Sequence, residues 1–363
     1  MKARPLSVLL THEVFPPEIR GGGEYIALRV AMALQERGIQ VQVLTTGDPA
    51  NTSHQGVQTE RLPIGRYGFN LKVGRIIAAA RSVDVLQTFN YHACLPSLIA
   101  ARYLSKPIIC EILGLFGLAW LDMRGRTIGR LYQSWERFVV SRSYDRTVFL
   151  SARSRMQGLA LGATAERSMV NPPGIDFDQL DCAAVRKPFV LFAGKFDVRK
   201  GIRELLTVAA ALPDIPFHVV GWGDGLPMLQ DANLKNMTIT VEHAASGGGL
   251  QYHSLLRDAL VLLFPSHSET FGLVLAEAMA SGCAIVSTID TIPFAGTLVA
   301  PGDDAAMIEA IRRMWSDQPF TQELGRRNRT MAAAYTWDAH VDRLVETYES
   351  LLNARRASPP GVA

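Results

Sequence analysis

The sequence has few cysteines, no long apolar run and almost no net charge, and each absence excludes a class of protein. None of the cysteines forms a CxxC pair or a Cys/His set at zinc spacing, so we expect reduced thiols in a cytosolic chain. The longest uncharged stretch, residues 85–101, is interrupted by polar residues and a proline and is a poor membrane span. The cysteines are Cys94, Cys110, Cys182 and Cys283.

The numbers of basic and acidic residues are nearly equal. The chain has 37 Lys and Arg against 34 Asp and Glu, a net charge of +3, whereas a chain that lives on nucleic acid usually carries a clear basic excess. Residues 1–180 nevertheless carry +7, from 21 basic and 14 acidic residues, and the remainder carries −4. The two halves are therefore expected to have different partners.

With 363 residues the chain is too long for one ordinary core, which favours two domains. Short apolar strands alternate with amphipathic helices in both halves, and this pattern predicts α/β domains with parallel sheets. The adjacent prolines Pro172 and Pro173 interrupt the alternation, so a linker is predicted over 171–188. A cleft between two such halves is the natural ligand site.

Residues 264–282 carry the most chemical information. A strand ends at Pro265 and a helix begins near Gly272, so the first backbone N–H groups of the helix favour a phosphate. Glu269 precedes this helix and Glu277 lies within it; a carboxylate suits a vicinal diol because it accepts hydrogen bonds from both hydroxyls. The plainer alternative makes Glu269 a helix cap and Glu277 a solvated helix residue.

A second segment, 192–201, follows a buried strand and opens a helix. Lys195 and Lys200 within it are suited to neutralise a diphosphate as flexible point charges. The alternative is a solvated basic loop.

The third segment is the glycine run Gly21-Gly22-Gly23, which lets the backbone approach a ligand. It lacks the GxGxxG spacing of a dinucleotide site and the GK[ST] ending of a P-loop, which argues against a dinucleotide oxidoreductase. A plain flexible loop is the alternative.

Taken in this order, the segments resemble the retaining nucleotide-sugar glycosyltransferases of family 4. The resemblance runs from about residue 5 to residue 350, and the Glu-x7-Glu block at 269–277 is its most specific part. It implies the GT-B fold, an α/β architecture of two Rossmann-like α/β/α domains whose parallel sheets face a central cleft. The predicted divisions are an acceptor-binding domain (1–175), a donor-binding domain (176–335), a C-terminal helix packing back towards the first domain (336–356) and a disordered tail (357–363).

The resemblance assigns catalytic roles to three residues, Glu269, Lys195 and Lys200. The two lysines match the basic pair that holds the donor diphosphate, although the first position is more often Arg. Glu269 matches the acidic residue beside the transferred sugar. Glu277 matches the carboxylate that binds the nucleotide ribose.

Two turns complete the implied donor site. Phe271, Gly272 and Leu273 match the turn that supplies backbone contacts to the donor. Gly21 and Gly22 match the loop that closes over the phosphates and the acceptor.

The implied reaction moves a hexosyl unit from a nucleotide-diphosphate sugar to a hydroxyl acceptor in polysaccharide, lipid-linked glycan or glycolipid biosynthesis. Retention follows from front-side attack in which the leaving diphosphate accepts the proton, so no protein nucleophile, metal or cofactor is required. The Asp303-Asp304 pair lacks DxD spacing and predicts a helix start. A nucleotide-sugar epimerase of the same fold and a non-catalytic nucleotide-sugar-binding protein are the alternatives.

The sequence departs from the family pattern at Leu113, where a histidine often stands near the donor sugar. Either Glu111 or His92 compensates, or the sugar is contacted differently. The segment 287–298 is also shorter than usual. The donor base, the sugar and the acceptor stay open.

An apolar, glycine-punctuated stretch, 114–121, precedes a predicted long helix over 124–142 that is rich in arginine. An apolar loop beside a basic helix is typical of a surface that rests on an anionic bilayer and meets a lipid-linked acceptor. A core helix with a solvated basic face is the alternative. The predicted location is the cytoplasm, at the inner face of the cell membrane.

Overall fold

The computed structural model describes residues 4–18, 21–183, 186–242 and 249–357, and it confirms the α/β class with two parallel-stranded sheets. The chain divides into two compact units. The first takes the residues up to 115, 131–174 and those from 337 onwards; the second takes 116–130 and 175–336. Residues 184 and 185 of the predicted linker and 358–363 of the predicted tail lie outside the described residues.

Each unit contains one sheet of short strands. The strands of the first sheet are β1 (Ser7–Thr11), β2 (Gln40–Thr46), β3 (Ser53–His54), β4 (Val57–Leu62), β5 (Val85–Phe89), β6 (Ile108–Ile112), β7 (Arg146–Phe149) and β8 (Ser168–Val170). Those of the second are β9 (Lys187–Lys195), β10 (Phe217–Trp222), β11 (Met237–Val241), β12 (Ala259–Phe264), β13 (Ala284–Ser287) and β14 (Gly296–Leu298).

The central strands of each sheet are buried, and the strand order shows which strands these are. The first sheet runs β3-β4-β2-β1-β5-β6-β7-β8 and is parallel except for the β3–β4 pair. The second runs β11-β10-β9-β12-β13-β14 and is parallel throughout. Every residue of β1, β5, β6 and β12 is buried, as expected for parallel strands covered on both faces.

Helices alternate with the strands along most of the chain. They are α1 (Gly22–Glu36), α2 (Val73–Ala80), α3 (Cys94–Tyr103), α4 (Ala119–Arg124), α5 (Arg126–Val140), α6 (Ala152–Ala160), α7 (Ile202–Ala211), α8 (Leu226–Asp231), α9 (Leu250–Asp258), α10 (Leu273–Ala280), α11 (Asp304–Ser316), α12 (Gln318–Ala332) and α13 (Trp337–Ala357). Asp303 caps α11, since its side chain accepts the Ala306 N–H at 3.0 Å, as the predicted helix start requires.

The predicted helix over 124–142 is wrong at its first turn. Gly125 has a φ of +75° and its N–H donates to Leu121 O at 2.8 Å, which ends α4 before α5 begins. A left-handed residue cannot continue a right-handed helix, and glycine adopts that conformation at no steric cost. A Cβ on Gly129 would lie 2.6 Å from Trp120 O, so glycine also permits the close approach of α4 and α5.

Residues 116–130 fall within the predicted first domain but group with the second unit. The Phe116 ring explains part of this grouping, because the Arg199 guanidinium lies 5.2 Å from its centroid. Cation–π contacts of this kind attach the segment before α4 to the segment that follows β9.

Helix α13 belongs to the first unit. Arg37 at the end of α1 pairs with Asp338 at 2.9 Å and with Asp342 at 2.7 Å. The Tyr348 hydroxyl donates to Gln87 Oε1 on β5 inside the core. The last helix therefore covers α1 and the middle of the first sheet.

Candidate functional site

The predicted lysines and Glu269 lie at one edge of the second sheet. Lys195 is the last residue of β9, and Lys200 ends the 3₁₀ turn Val198–Lys200 that follows. Glu269 follows β12, the neighbour of β9. Because the carboxyl ends of parallel strands share an edge, the topology brings these residues together.

A glycine permits the turn that carries Lys200. Gly201 has a φ of +80°, and a Cβ added to it would lie 2.1 Å from Pro265 O at the end of β12. The Asp197 side chain accepts the Lys200 N–H at 3.0 Å, and the His267 N–H donates to Arg199 O at 2.8 Å. The turn is thus held directly against the segment that leads to Glu269.

Lys200 and Glu269 form a buried ion pair. Lys200 Nζ donates to Glu269 Oε1, and the Ser266 hydroxyl donates to the same oxygen at 3.1 Å. Only 19% of the Lys200 side chain and 11% of the Glu269 side chain are exposed. The alternatives of a solvated loop for Lys200 and a helix cap for Glu269 are therefore wrong.

The pKa shifts follow from this pairing. Burial alone raises the pKa of Glu269, but the charges of Lys200 and Arg199 outweigh it and hold that pKa below its usual range. Burial lowers the pKa of Lys200 in spite of the opposing attraction of Glu269. Glu269 is consequently ionised at neutral pH and shields the Lys200 charge.

Helix α10 begins beside this pair. Its N-cap, Gly272, has a φ of +88° and contributes no capping side chain. Phe271 is fully buried and its carbonyl accepts from the Thr291 hydroxyl. At this turn the backbone N–H groups, and not the Phe271 side chain, are therefore the groups suited to a phosphate.

Glu277 lies in the middle of α10 and is only 5% exposed. Its Oε2 accepts a hydrogen bond from the Tyr252 hydroxyl on α9. The alternative of a solvated helix residue is therefore wrong, and a buried carboxylate points to a defined polar partner.

Lys195 differs from Lys200. It is half-buried and, in the part of the chain that the structure describes, forms no ion pair. It lies opposite Trp222 in the β9–β10 register. The next residue, Gly223, has a φ of +140°, and a Cβ there would lie 2.7 Å from Phe196 O. The glycines after β10 therefore form a tight turn beside Lys195.

In the first unit, Gly21 is extended and precedes α1, which begins at Gly22. A Cβ on Gly23 would lie 3.3 Å from Leu113 Cδ1. Leu113, which stands where the family often has histidine, thus packs against the glycine run instead of offering a polar group.

A polar cluster that the sequence pattern did not identify lies after β1 and β5. Glu13 is 3% exposed and lies 3.4 Å from Arg66 Nη2. It also accepts the backbone N–H groups of Tyr91 at 3.4 Å and His92 at 3.3 Å. The one feature of the sequence that could have indicated this cluster is the position of Glu13, two residues after a buried strand.

The environment of this cluster shifts two pKa values. Burial raises the pKa of Glu13, but the charges of His12, His92 and Arg66 outweigh it, so the net shift is downward. Burial lowers the pKa of His92 against the attraction of Glu13. The His92 ring also contacts Asn70 Nδ2 through Nδ1 at 3.0 Å.

Glu111 is directed into the core of the first unit instead. It is fully buried; its Oε2 accepts from Gln87 Nε2 at 2.9 Å and its Oε1 lies 3.4 Å from His340 Nε2 on α13. Of the two residues proposed to compensate for Leu113, His92 follows the carboxyl end of β5, whereas the Glu111 carboxylate is engaged by Gln87 and lies near His340 inside the core.

Two features are absent from the residues that the structure describes. Among them, no three or more His, Cys, Asp or Glu side chains are grouped as a metal ion would require. None of their helices combines the length and the apolar character needed to span a bilayer.

Comparison with known proteins identifies the class as that of the nucleotide-sugar-dependent glycosyltransferases. Residues 187–317 match the model described as glycosyl transferases group 1, and residues 21–174 match the glycosyl transferase 4-like domain. The chain belongs to the family-4 type of glycosyltransferase and transfers sugar from a nucleotide sugar in glycan biosynthesis. The comparisons give no support to the epimerase or non-catalytic alternatives.

Individual relatives span the whole chain. The O-antigen chain mannosyltransferase C of Escherichia coli is 24% identical, with 96% of this chain and 100% of that protein covered. The sucrose-phosphate synthase structure from Thermosynechococcus elongatus has a TM-score of 0.81 at 21% identity, covering 96% and 100%. Anabaena HepE in complex with UDP-glucose has a TM-score of 0.77 at 17% identity, covering 95% and 100%.

Proposed function

We propose that this glycosyltransferase retains anomeric configuration and works without a metal or another cofactor, moving a hexosyl unit to a hydroxyl of a glycan or lipid-linked acceptor. The observation that carries the proposal is the buried Lys200–Glu269 pair beside the start of α10. It places a cation and an ionised acid next to a helix terminus that favours phosphate.

In this proposal the donor diphosphate lies on the N–H groups of Phe271, Gly272 and Leu273 and on the ammonium groups of Lys195 and Lys200. These groups stabilise the negative charge that develops as the leaving group departs. A metal ion would otherwise supply that stabilisation.

The sugar and the ribose take the two carboxylates. Glu277 accepts hydrogen bonds from the ribose hydroxyls, and Glu269 lies beside the transferred sugar. The bond from the anomeric carbon to the diphosphate oxygen breaks while the acceptor oxygen bonds to the same face of that carbon. The acceptor proton passes to the leaving diphosphate oxygen, so the configuration is retained without a protein nucleophile. The resemblance assigns Gly21 and Gly22 to the phosphates and the acceptor.

A donor screen followed by product analysis tests this proposal. We expect UDP- or GDP-linked sugars to raise the melting temperature by mass action, more so for the tighter-binding donor, and dTDP-linked sugars, which lack the 2′-hydroxyl, to raise it less. The best donor is then incubated with acceptors in EDTA, and NMR of the product reports the anomeric configuration. An inverted product, or activity abolished by EDTA and restored by Mg²⁺, contradicts the proposal. Conversion of the donor alone to an isomer supports the epimerase alternative instead.

For the acceptor side, the proposal includes a surface on α4 and α5 that binds an anionic membrane. The side chains of Leu118, Ile128, Leu131 and Phe138 are exposed there although they are apolar. The exposed charges of these helices are Arg124, Arg126, Arg130 and Arg137 against Asp122. Apolar side chains among arginines suit the headgroup region of an anionic leaflet.

Co-sedimentation with vesicles tests the membrane surface. Binding is expected to phosphatidylglycerol-containing vesicles but not to phosphatidylcholine alone, and to weaken in high salt. Arg126→Glu with Arg130→Glu is expected to weaken it about tenfold or more, since each basic side chain contributes about 1 kcal/mol. Arg326→Glu with Arg327→Glu on α12 is the matched control, because both side chains are exposed elsewhere. Equal binding to neutral vesicles would overturn this part of the proposal, which also includes the cytoplasmic location.

A further inference from the structure

Tyr252 has no role in the reaction proposed above, yet it is one of the largest fully buried side chains of the second unit. It lies on α9, and its hydroxyl donates to Glu277 Oε2 on α10. A tyrosine hydroxyl in a core requires a partner, and this one is a carboxylate with a proposed ligand of its own.

Tyr252 is itself positioned by Glu242, the residue that follows β11. Its backbone N–H donates to Glu242 Oε2 at 2.8 Å, so Glu242 satisfies an N–H of the first turn of α9. Glu242 directly follows β11, and its own N–H donates to Gly221 O at 3.0 Å. A Cβ on Gly249 would lie 1.4 Å from Glu242 Oε1, so a side chain at this position would require the Glu242 carboxylate to move.

We propose that Tyr252 is a positioning residue that orients Glu277 towards the two ribose hydroxyls and thereby makes the site selective for ribonucleotides. This inference rests on the proposed role of Glu277 as the ribose ligand. The carboxylate torsion of a glutamate is broad when nothing restrains it. A hydrogen bond to Oε2 from a buried helix fixes that torsion before the nucleotide arrives, which lowers the ordering cost of binding.

The geometry also explains how one carboxylate serves three donors. A carboxylate has two oxygens with about four lone-pair directions in total. The Tyr252 hydroxyl uses one of them, and a vicinal diol uses two more on the same group. A 2′-deoxynucleotide supplies one donor fewer, and a buried acceptor that loses a partner is costly.

The test compares UDP with 2′-deoxy-UDP by calorimetric titration, because the pair differs in one hydroxyl and not in base or charge. If GDP stabilises the protein better than UDP, GDP and 2′-deoxy-GDP are used. The wild-type protein is expected to favour the ribonucleotide by about tenfold to a hundredfold, the range for a hydrogen bond to a charged group. Tyr252→Phe is expected to reduce that ratio about fivefold, the range for one net hydrogen bond.

The ratio separates positioning from stability, since both affinities are measured on the same folded protein. Glu277→Gln is expected to bring the ratio close to one, and Glu242→Gln to lower it less than Tyr252→Phe does. Tyr144→Phe is the matched control: this tyrosine is also fully buried, with its hydroxyl on Val139 O at 3.3 Å, but lies in the first unit. It is expected to leave the ratio unchanged.

Each of the other possible results would overturn one named part of this inference or of the proposed function. A ratio unchanged in Tyr252→Phe but lost in Glu277→Gln overturns the role of Tyr252 and leaves the proposed function intact. A wild-type ratio near one overturns both the diol role of Glu277 and this inference. Absence of binding by either nucleoside diphosphate overturns the proposed function and the inference with it.

Discussion

Each unit has a buried acid after a parallel strand, and the two acids differ in how their contacts are distributed. In the second unit, Glu269 concentrates its contacts on one cation and one hydroxyl, Lys200 and Ser266. In the first, Glu13 divides its contacts between Arg66 and two backbone N–H groups, all at 3.3–3.4 Å. A concentrated pair holds the Lys200 ammonium in one fixed place, where a diphosphate can meet it. Under the proposed function, we expect the dispersed contacts of Glu13 to suit a ligand with hydroxyl groups, such as the acceptor.

Removing the charge of Glu269 is expected to have the largest effect. Glu269→Gln keeps the size of the side chain but loses the acid beside the reacting sugar, so transfer is expected to fall about a hundredfold to a thousandfold. The dissociation constant of the donor is expected to change little, because the diphosphate contacts remain. Steady-state transfer rates and calorimetric titration with the donor measure the two effects.

Equal losses of transfer and donor affinity in Glu269→Gln would show that this acid binds the donor instead of assisting transfer. The second unit would then contain no catalytic acid at this position, only a donor-binding one.

Lys200→Met is expected to reduce both donor affinity and stability. Its loss leaves Glu269 buried without its cation, and a hydrogen bond to a charged group is worth about 1.5–3 kcal/mol. Urea denaturation measures the stability and calorimetric titration the affinity. Lys195→Met is the matched control: it is expected to lower donor affinity while the free energy of unfolding stays within about 0.5 kcal/mol of the wild type.

Glu13→Gln addresses the first unit. Because the contacts of Glu13 are dispersed, we expect a rise of about tenfold in the KM for the acceptor, equivalent to one net hydrogen bond or slightly more. The donor dissociation constant is expected to stay unchanged. A fall in donor affinity as large as that of Lys200→Met would contradict the division of roles between the units.

Acid sensitivity gives the smallest expected effect. The folded-state pKa values of both Glu13 and Glu269 lie below the usual 4.5. Each ionised acid therefore stabilises the folded state above pH 4.5, and this contribution is lost as the pH falls through the folded-state pKa. Urea denaturation at pH 7 and pH 4 is expected to show a smaller acid loss in Glu13→Gln and in Glu269→Gln than in the wild type. An unchanged loss in both variants would contradict the direction of these shifts.

Local sequence signals predicted the elements that depend on short-range patterns. The apolar run of β12 and the change to helical spacing in α10 predicted the strand, the helix and the polar turn between them. The places of Lys200 and Glu269 at one edge followed from that alternation. Their assigned roles came from the resemblance to family 4, because spacing alone left a helix cap and a solvated loop open.

Contacts between distant segments could not be predicted in the same way. Arg66 is separated from Glu13 by several strands, and Tyr252 from Glu277 by β12, so no local periodicity connects them. Glu111 was a candidate to compensate for Leu113, which stands two residues later in the sequence. Its burial against Gln87 depends on strand pairing and on α13, which only the folded chain determines.

The place of α13 has a consequence for protein engineering. The first unit is encoded in separated pieces, and its final piece carries Tyr348 and Asp338, the partners of Gln87 and Arg37. A fragment that stops at residue 174 would expose those partners to water and lose the cover of the sheet. To produce this unit alone, residues 337–357 must be grafted back behind residue 174 or moved to the front by circular permutation.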